Sequence, residues 1–313
     1  MIIEKIIKQL TPERIKKEVA LVEAIKLPPK LQKLVKEYEK VGDRDSFIWK
    51  WSYKVAQIIT FPNVPKIYYN SLYITKFLMI LFIVLLDDVA DKLQNKILLE
   101  EILKIPFNEK GIKLNYLTSK EKKYLKLTKK VWCTLSKTIK VYPSYKRFSS
   151  IIEYDINQIL NGMNYAYLLN QYLDMSNEME SQIYLSHNTP AILSYMIDLT
   201  CLSNFNIKYL GFVRKIGWYT QLMTRISNWV ATWEREIAER DYTSGIFIYT
   251  NNEFQDIKKI KKLKIEKKLL KQWEQFYNRI KILKSKNKTI NIGKILETIE
   301  KLTILHLISK KLI

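Results

Sequence analysis

The sequence predicts an all-α fold, and three observations carry that reading. Gly and Pro number only 7 and 8 in 313 residues, well under the combined ~12% of average usage, so turns are few and elements long. No proline follows Pro190, and so long a proline-free run suits helices better than a series of short strands. Apolar residues in the best-patterned segment recur with helical period. With 47% hydrophobic residues the chain can bury a sizeable core, which excludes disorder as its main description. No internal repeat and no linker divides it, so residues 1–313 read as one helical domain.

Each element follows from its punctuation. Between Leu21 and Glu37 the Pro28-Pro29 break separates a loosely attached first helix from a second. Ser46 to Thr60 is an aromatic helix closed by Phe61-Pro62-Asn63-Val64-Pro65. Ser71 to Leu86 is apolar all the way round, which places it inside the bundle, and it runs straight into Asp87. Leu114 to Lys140 reads as one or two helices, and a turn at Tyr142-Pro143-Ser144 precedes a helix containing Ile151 to Leu169. Pro190 interrupts a helical pattern from about Glu180 to Leu202, predicting a break. Tyr209 to Arg240 reads as one very long helix. From Ile257 to Leu283 apolar residues alternate with lysines in an amphipathic helical pattern.

Composition excludes several classes. Cys133 and Cys201 are the only cysteines, far apart in apolar surroundings; core packing in a reducing, cytoplasmic compartment is the simpler expectation. The longest apolar run, Phe77 to Leu86, is about half of a bilayer span, and the N-terminus shows no apolar signal segment. The net charge of +22 invites a nucleic-acid partner. However, 45 of the 53 basic residues are Lys, whereas bidentate recognition of phosphates and base edges favours Arg. A solvated lysine surface, densest from Lys258 to Lys288, is the expected reading, and no nucleic acid is expected.

The informative charges are negative. Asp87-Asp88-Val89-Ala90-Asp91 ends the apolar helix. Asp87 and Asp91, four apart, share a helix face, and carboxylates at the end of a buried helix must be paired or bind a metal; a solvated helix end is the competing reading. Asn228, Thr232 and Glu236 are spaced four and four, a stripe of hard oxygen donors suited to Mg2+. Each motif alone is weak; together they lie on two separate long helices.

In these motifs, their order and their spacing of about 140 residues, the chain resembles the class I terpene synthases (terpene cyclases), whose pattern is DDxxD followed by [ND]DxxSxxxE. The resemblance implies the isoprenoid synthase fold, a single helical bundle around a deep apolar cavity. It implies Mg2+ as cofactor, three ions with Mn2+ as a substitute, held by Asp87 and Asp91 on one side and Asn228, Thr232 and Glu236 on the other. Asp88 would act indirectly. Arg235 matches the basic residue that precedes the family's Glu and contacts diphosphate, and Arg225, on nearly the same face as Asn228, would add a second donor; surface ion pairing is the alternative for both. The implied reaction is ionisation of farnesyl or geranylgeranyl diphosphate and cyclisation of the carbocation in an aromatic cavity. Phe77 and Trp218, on the helices leading to the two motifs, are expected to line that cavity, core packing being the competing role. A monomer or homodimer is expected.

The chain departs from the family pattern in three places. Trp229 stands where Asp is common, and Thr232 where Ser is commoner. The stretch SQIYLSHNTPAILSYMIDL has neither the Arg nor the Gly that bacterial members place before the second motif; there Pro190 would supply the helix break and His187 or Asn188 the diphosphate contact. The C-terminal Arg-Tyr pair is missing, leaving Lys92 or Arg240 as lid donors. Other readings are weaker. A chain-elongating prenyl diphosphate synthase shares the first motif but needs a second DDxxD. A di-iron bundle needs Glu-x-x-His pairs, and Tyr184 and Thr303 stand three before His187 and His306. Zinc is disfavoured because His and Cys occur singly. No D-x-D-D motif supports protonation-initiated cyclisation. A basic, non-enzymatic helical protein on nucleic acid or an anionic membrane leaves both acidic motifs unexplained.

Overall fold

Fifteen α-helices and several short 3-10 turns make up the described part of the chain, which in this computed structural model covers residues 1–250, 257–284, 290–310 and 312. No strand occurs among the described residues. Helix α1 (Ile2–Lys8) is followed by α2 (Pro12–Glu23), which starts where Thr11 accepts from the Arg14 amide and Pro12 fills the first turn. Next come α3 (Pro29–Tyr38) and α4 (Phe47–Ile58), so the Pro28-Pro29 break separates two helices as the sequence predicts. The apolar helix α5 (Tyr69–Asp87) is buried along both its sides. It packs between α4 and α7 (Ser119–Lys140), and α6 (Lys96–Leu103) lies between α5 and α7 in the chain. The Thr118–Glu121 capping box sets the start of α7, which therefore begins after Leu114.

The second half is built around α11 (Leu210–Glu239), preceded by α8 (Tyr145–Gln171), α9 (Glu178–Ile183) and α10 (Ala191–Thr200). Pro190 does break the chain: a 3-10 turn over Leu185–Asn188 precedes it and α10 follows. After α12 (Gly245–Ile248), the predicted amphipathic helix is divided into α13 (Ile257–Lys262) and α14 (Ile265–Leu283), because Lys264 takes a left-handed conformation at φ 54°. Part of the basic stretch, residues 285–288, lies outside the described residues. Helix α15 (Ile292–Ile308) closes the bundle against α11, α14 and α4.

Buried apolar side chains from Ile3 to Ile308 belong to one cluster. Both cysteines are free thiols, Cys201 buried and Cys133 half-buried. Among the described residues no helix is long and apolar enough to cross a membrane.

Candidate functional site

A cavity of about 160 Å³ opens between α4, α5, α10, α11 and α15. Its deeper walls are apolar, including Ile48, Trp51 and Val55 from α4, Met79, Ile80, Ile83 and Val84 from α5, and Leu302 from α15. The α5 residues follow a spacing of three and four, so one stripe of that all-apolar helix faces the cavity while the rest packs into the core. The same stripe continues into Asp87 and Asp91 at the mouth.

Helix α5 does not end in an ordinary α-turn. Asp88–Lys92 forms a π-turn, with the Leu93 amide donating to Asp88 O at 2.8 Å, a local widening often found at functional sites. Across it the three aspartates separate in role. Asp87 and Asp91 face the cavity. Asp88 is buried and turns the other way: it accepts from Tyr38 Oη at 2.6 Å, Tyr124 Oη at 3.2 Å and Arg44 Nε at 2.6 Å. Arg44 also reaches Asp87, Nη2 to Oδ2 at 2.7 Å. Burial works against the Arg44 charge, but the two aspartates outweigh it and hold its pKa well above the ordinary guanidinium value.

On the facing wall, α11 presents Arg225, Asn228, Thr232, Arg235, Glu236 and Glu239 to the same cavity. The spacing of three and four makes this a continuous stripe. Arg225 Nη1 donates to Asn228 Oδ1 at 3.2 Å, and the Thr232 hydroxyl lies 2.6 Å from Glu236 Oε1. Arg235 pairs with Glu239. Trp229, where the resembled pattern has an acid, packs over Gly245, whose missing side chain makes room for the ring, and the Arg225 guanidinium lies 5.2 Å from its centroid. The indole takes no part in the cavity.

Asp241 joins these residues from beyond the helix. Arg240 terminates α11 in the left-handed conformation at φ 59°, turning the chain so that Asp241 enters the cavity mouth. Asn170, at the end of α8, ties the two sides together: its Nδ2 lies 3.3 Å from Asp91 Oδ1 and 3.4 Å from Asp241 Oδ1, while its Oδ1 accepts from the Tyr242 amide at 2.8 Å.

Electrostatically the mouth is crowded. Burial, with repulsion from Asp241 and Asp87, pushes the Asp91 carboxyl well above its usual range. Burial, with repulsion from Asp241, raises Glu236 to about 7, and Asp241 is itself raised, chiefly by burial. Glu236 Oε2, Arg225 Nε and both polar atoms of the Asn188 amide are buried without a hydrogen-bond partner among the described residues. Such atoms cost free energy unless a ligand meets them. The carboxylates with the neutral oxygens of Asn228 and Thr232 suit a hard cation such as Mg2+, which would also relieve the repulsion. Among the described residues no three His, Cys, Asp or Glu side chains are gathered as a ready-made metal cluster.

The structure therefore brings together Asp87, Asp91, Asn228, Thr232, Glu236, Arg225, Arg235 and Asn188 at one cavity, with Lys92 at its rim paired to Asp43 at 2.8 Å. It does not bring in four other expected residues. His187 lies outside the cavity, its Nδ1 3.3 Å from Gln221 Nε2 and its ring against Trp218 at 5.3 Å. In the tight 3-10 turn neighbouring side chains diverge, so Asn188 faces the cavity and His187 does not. Trp218, two turns before Arg225, is half-buried with its ring against His187 and is not among the residues lining the cavity. Phe77 is covered by Trp49 and Tyr53 of α4, at centroid distances of 6.4 and 6.3 Å. Arg240 acts as the helix terminator and is not among the lining residues.

Arg44, Asp241 and Asn170 were not visible in the sequence pattern. Only Asp241 leaves a local trace: the Asp-Tyr-Thr sequence forms a turn in which its Oδ1 accepts from the Thr243 amide at 3.0 Å. Comparison of the chain with protein-family models, with curated proteins and with solved structures finds no match. The functional reading rests on the two motifs and on the cavity they share.

Proposed function

We propose that the chain is a class I terpene synthase that ionises a linear prenyl diphosphate, farnesyl or geranylgeranyl, and cyclises the resulting carbocation with loss of diphosphate. The observation that carries this reading is the set of buried, unpartnered polar atoms of Glu236, Arg225 and Asn188 at the mouth of a cavity whose deeper walls are apolar. A ligand with a highly charged head and a hydrocarbon tail satisfies both halves at once.

Asp87 and Asp91 from one wall, and Asn228, Thr232 and Glu236 from the other, are the residues that would hold Mg2+. Bound there, the metal would supply Lewis-acid stabilisation of the charge that builds on the departing diphosphate. Arg225, Arg235, Arg44 and the Asn188 amide line the same mouth and would donate to diphosphate oxygens, so that positive charge and N–H groups meet the developing anion. Arg44 is well suited because Asp88, fixed by two tyrosine hydroxyls, anchors its Nε edge and leaves the Nη edge near the mouth. The aliphatic walls and Trp51 keep water from the cation, and the indole face stabilises it by about 0.5–2 kcal/mol.

Incubation with farnesyl or geranylgeranyl diphosphate and Mg2+ should release diphosphate and yield a hydrocarbon or alcohol in an organic extract, read by gas chromatography. Asp87→Ala and Asn228→Ala should each lower turnover by about 10²–10³-fold, as loss of an electrostatic stabiliser does. Incorporation of isopentenyl diphosphate would reassign the chain to elongation. No product at either chain length, together with tight, salt-sensitive DNA binding, would overturn the reading.

A further inference from the structure

The cavity divides by chemistry. Every Asp, Glu, Lys and Arg that lines it belongs to the mouth assembly described above, and the one remaining ionisable lining residue is His306, on α15. Its ring stands edge-on to Trp51 at 5.0 Å between centroids. Nδ1 lies 2.8 Å from Leu302 O, one turn back along the helix. A carbonyl oxygen only accepts, so Nδ1 carries the hydrogen. Burial pushes the imidazole down to about 4, which keeps the ring neutral near pH 7. The tautomer is then fixed: Nε2 carries a lone pair, and among the described residues the hydrogen bond at this ring is the one at Nδ1. Packing alone does not require that lone pair, since an apolar ring would fill the same space beside Trp51.

We propose that His306 is the base that ends the reaction, its Nε2 taking a proton from the carbon adjacent to the cationic centre of the last carbocation. This rests on the reading given under Proposed function. In the step, the C–H bond breaks, its electron pair becomes the new C=C bond, and an Nε2–H bond forms. The positive charge passes from carbon to the imidazolium, which later returns its proton to the released diphosphate or to water. A neutral imidazole does not repel the approaching cation, whereas an imidazolium would. The carboxylates cannot take this role so readily, because they stand at the mouth with the charged head of the substrate.

The test uses the full chain with Mg2+ and each prenyl diphosphate, and reads two quantities, diphosphate released and product composition by gas chromatography with mass detection. His306→Asn keeps a donor toward Leu302 O but has no basic nitrogen, and His306→Phe keeps a ring against Trp51. Both should release diphosphate within about threefold of the unsubstituted chain, while the principal alkene falls at least about tenfold relative to alcohols and isomeric alkenes. Free imidazole added to His306→Ala should restore that alkene, a rescue that a packing role would not give. An unchanged product ratio in whichever of the Asn and Phe variants folds overturns the proposal and leaves the parent function standing. No diphosphate release by the unsubstituted chain overturns both.

Discussion

Asp87 and Asp88 are adjacent and chemically identical, yet their surroundings assign them different work. The Asp88 side chain is 4% exposed and saturated by Arg44, Tyr38 and Tyr124, whereas that of Asp87 is 28% exposed at the cavity mouth. Removing the Asp88 charge leaves Arg44 buried with half of its compensation, so Asp88→Asn should destabilise the fold by about 3–5 kcal/mol. Asp87→Asn, in a partly solvated pair, should cost about 1 kcal/mol or less while lowering turnover by about 10²-fold. Thermal unfolding and turnover measured on both variants check the split; equal loss of stability in the two would contradict it. The residues singled out in the sequence that line one cavity, Asp87, Asp91, Asn228, Thr232 and Glu236, are those related by fixed helical spacing, which is geometry the chain carries locally. Arg44 and Asn170 reach the mouth through tertiary packing of a loop and a helix end, which no spacing encodes. Phe77 and Trp218 are not among the residues lining the cavity, because helical phase says which way a side chain points and not which neighbouring helix covers it.

At the scale of elements, the breaks were as informative as the helices. Pro190 announced its own break because its ring cannot continue a helix, and the π-turn after Asp87 was illegible because nothing in its composition distinguishes it from an α-turn. Equally hidden was what fixes α5 to α10. Lys76 and Asp198 form a fully buried pair at 2.7 Å. The lysine also donates to Ile59 O at 2.6 Å, and Asp198 Oδ2 accepts from the Phe61 amide at 2.8 Å. Burial lowers the Lys76 pKa and raises that of Asp198 to about 6, so the pair is expensive to bury and more expensive to break. It sits directly behind Ile59 and Ser194 of the cavity wall. A sequence reader counts Lys76 as one more lysine in a basic chain. Lys76→Met should cost about 3–5 kcal/mol, whereas Lys76→Met combined with Asp198→Asn should recover most of that loss. Urea unfolding of the two single variants and the double variant gives the coupling; additive losses would show that the pair does not act as a unit.

For the whole molecule, the charge of +22 says little about where stability responds to pH, because most of it is lysine on the surface. The two histidines say more. His187, beside Trp218 and Gln221, and His306, beside Trp51 and Leu302, are both pushed down to about 4, in each case mainly by burial. An imidazole in the unfolded chain titrates near 6.5. Each folded-state value is therefore depressed, so each ring contributes stability that is fully present above about pH 6.5 and is lost as pH falls through about 4. The amount is of the order of 3 kcal/mol per ring. Buried acids such as Asp198, raised to about 6, respond in the opposite sense over part of the same window, so the histidine contribution has to be read as a difference between variants. Urea midpoints near pH 7 and near pH 4.5 should converge more in His187→Asn than in the unsubstituted chain, and again in His306→Asn, with the two changes adding because the rings share no partner. If neither variant narrows the gap, the acid sensitivity of this bundle resides in its carboxylates.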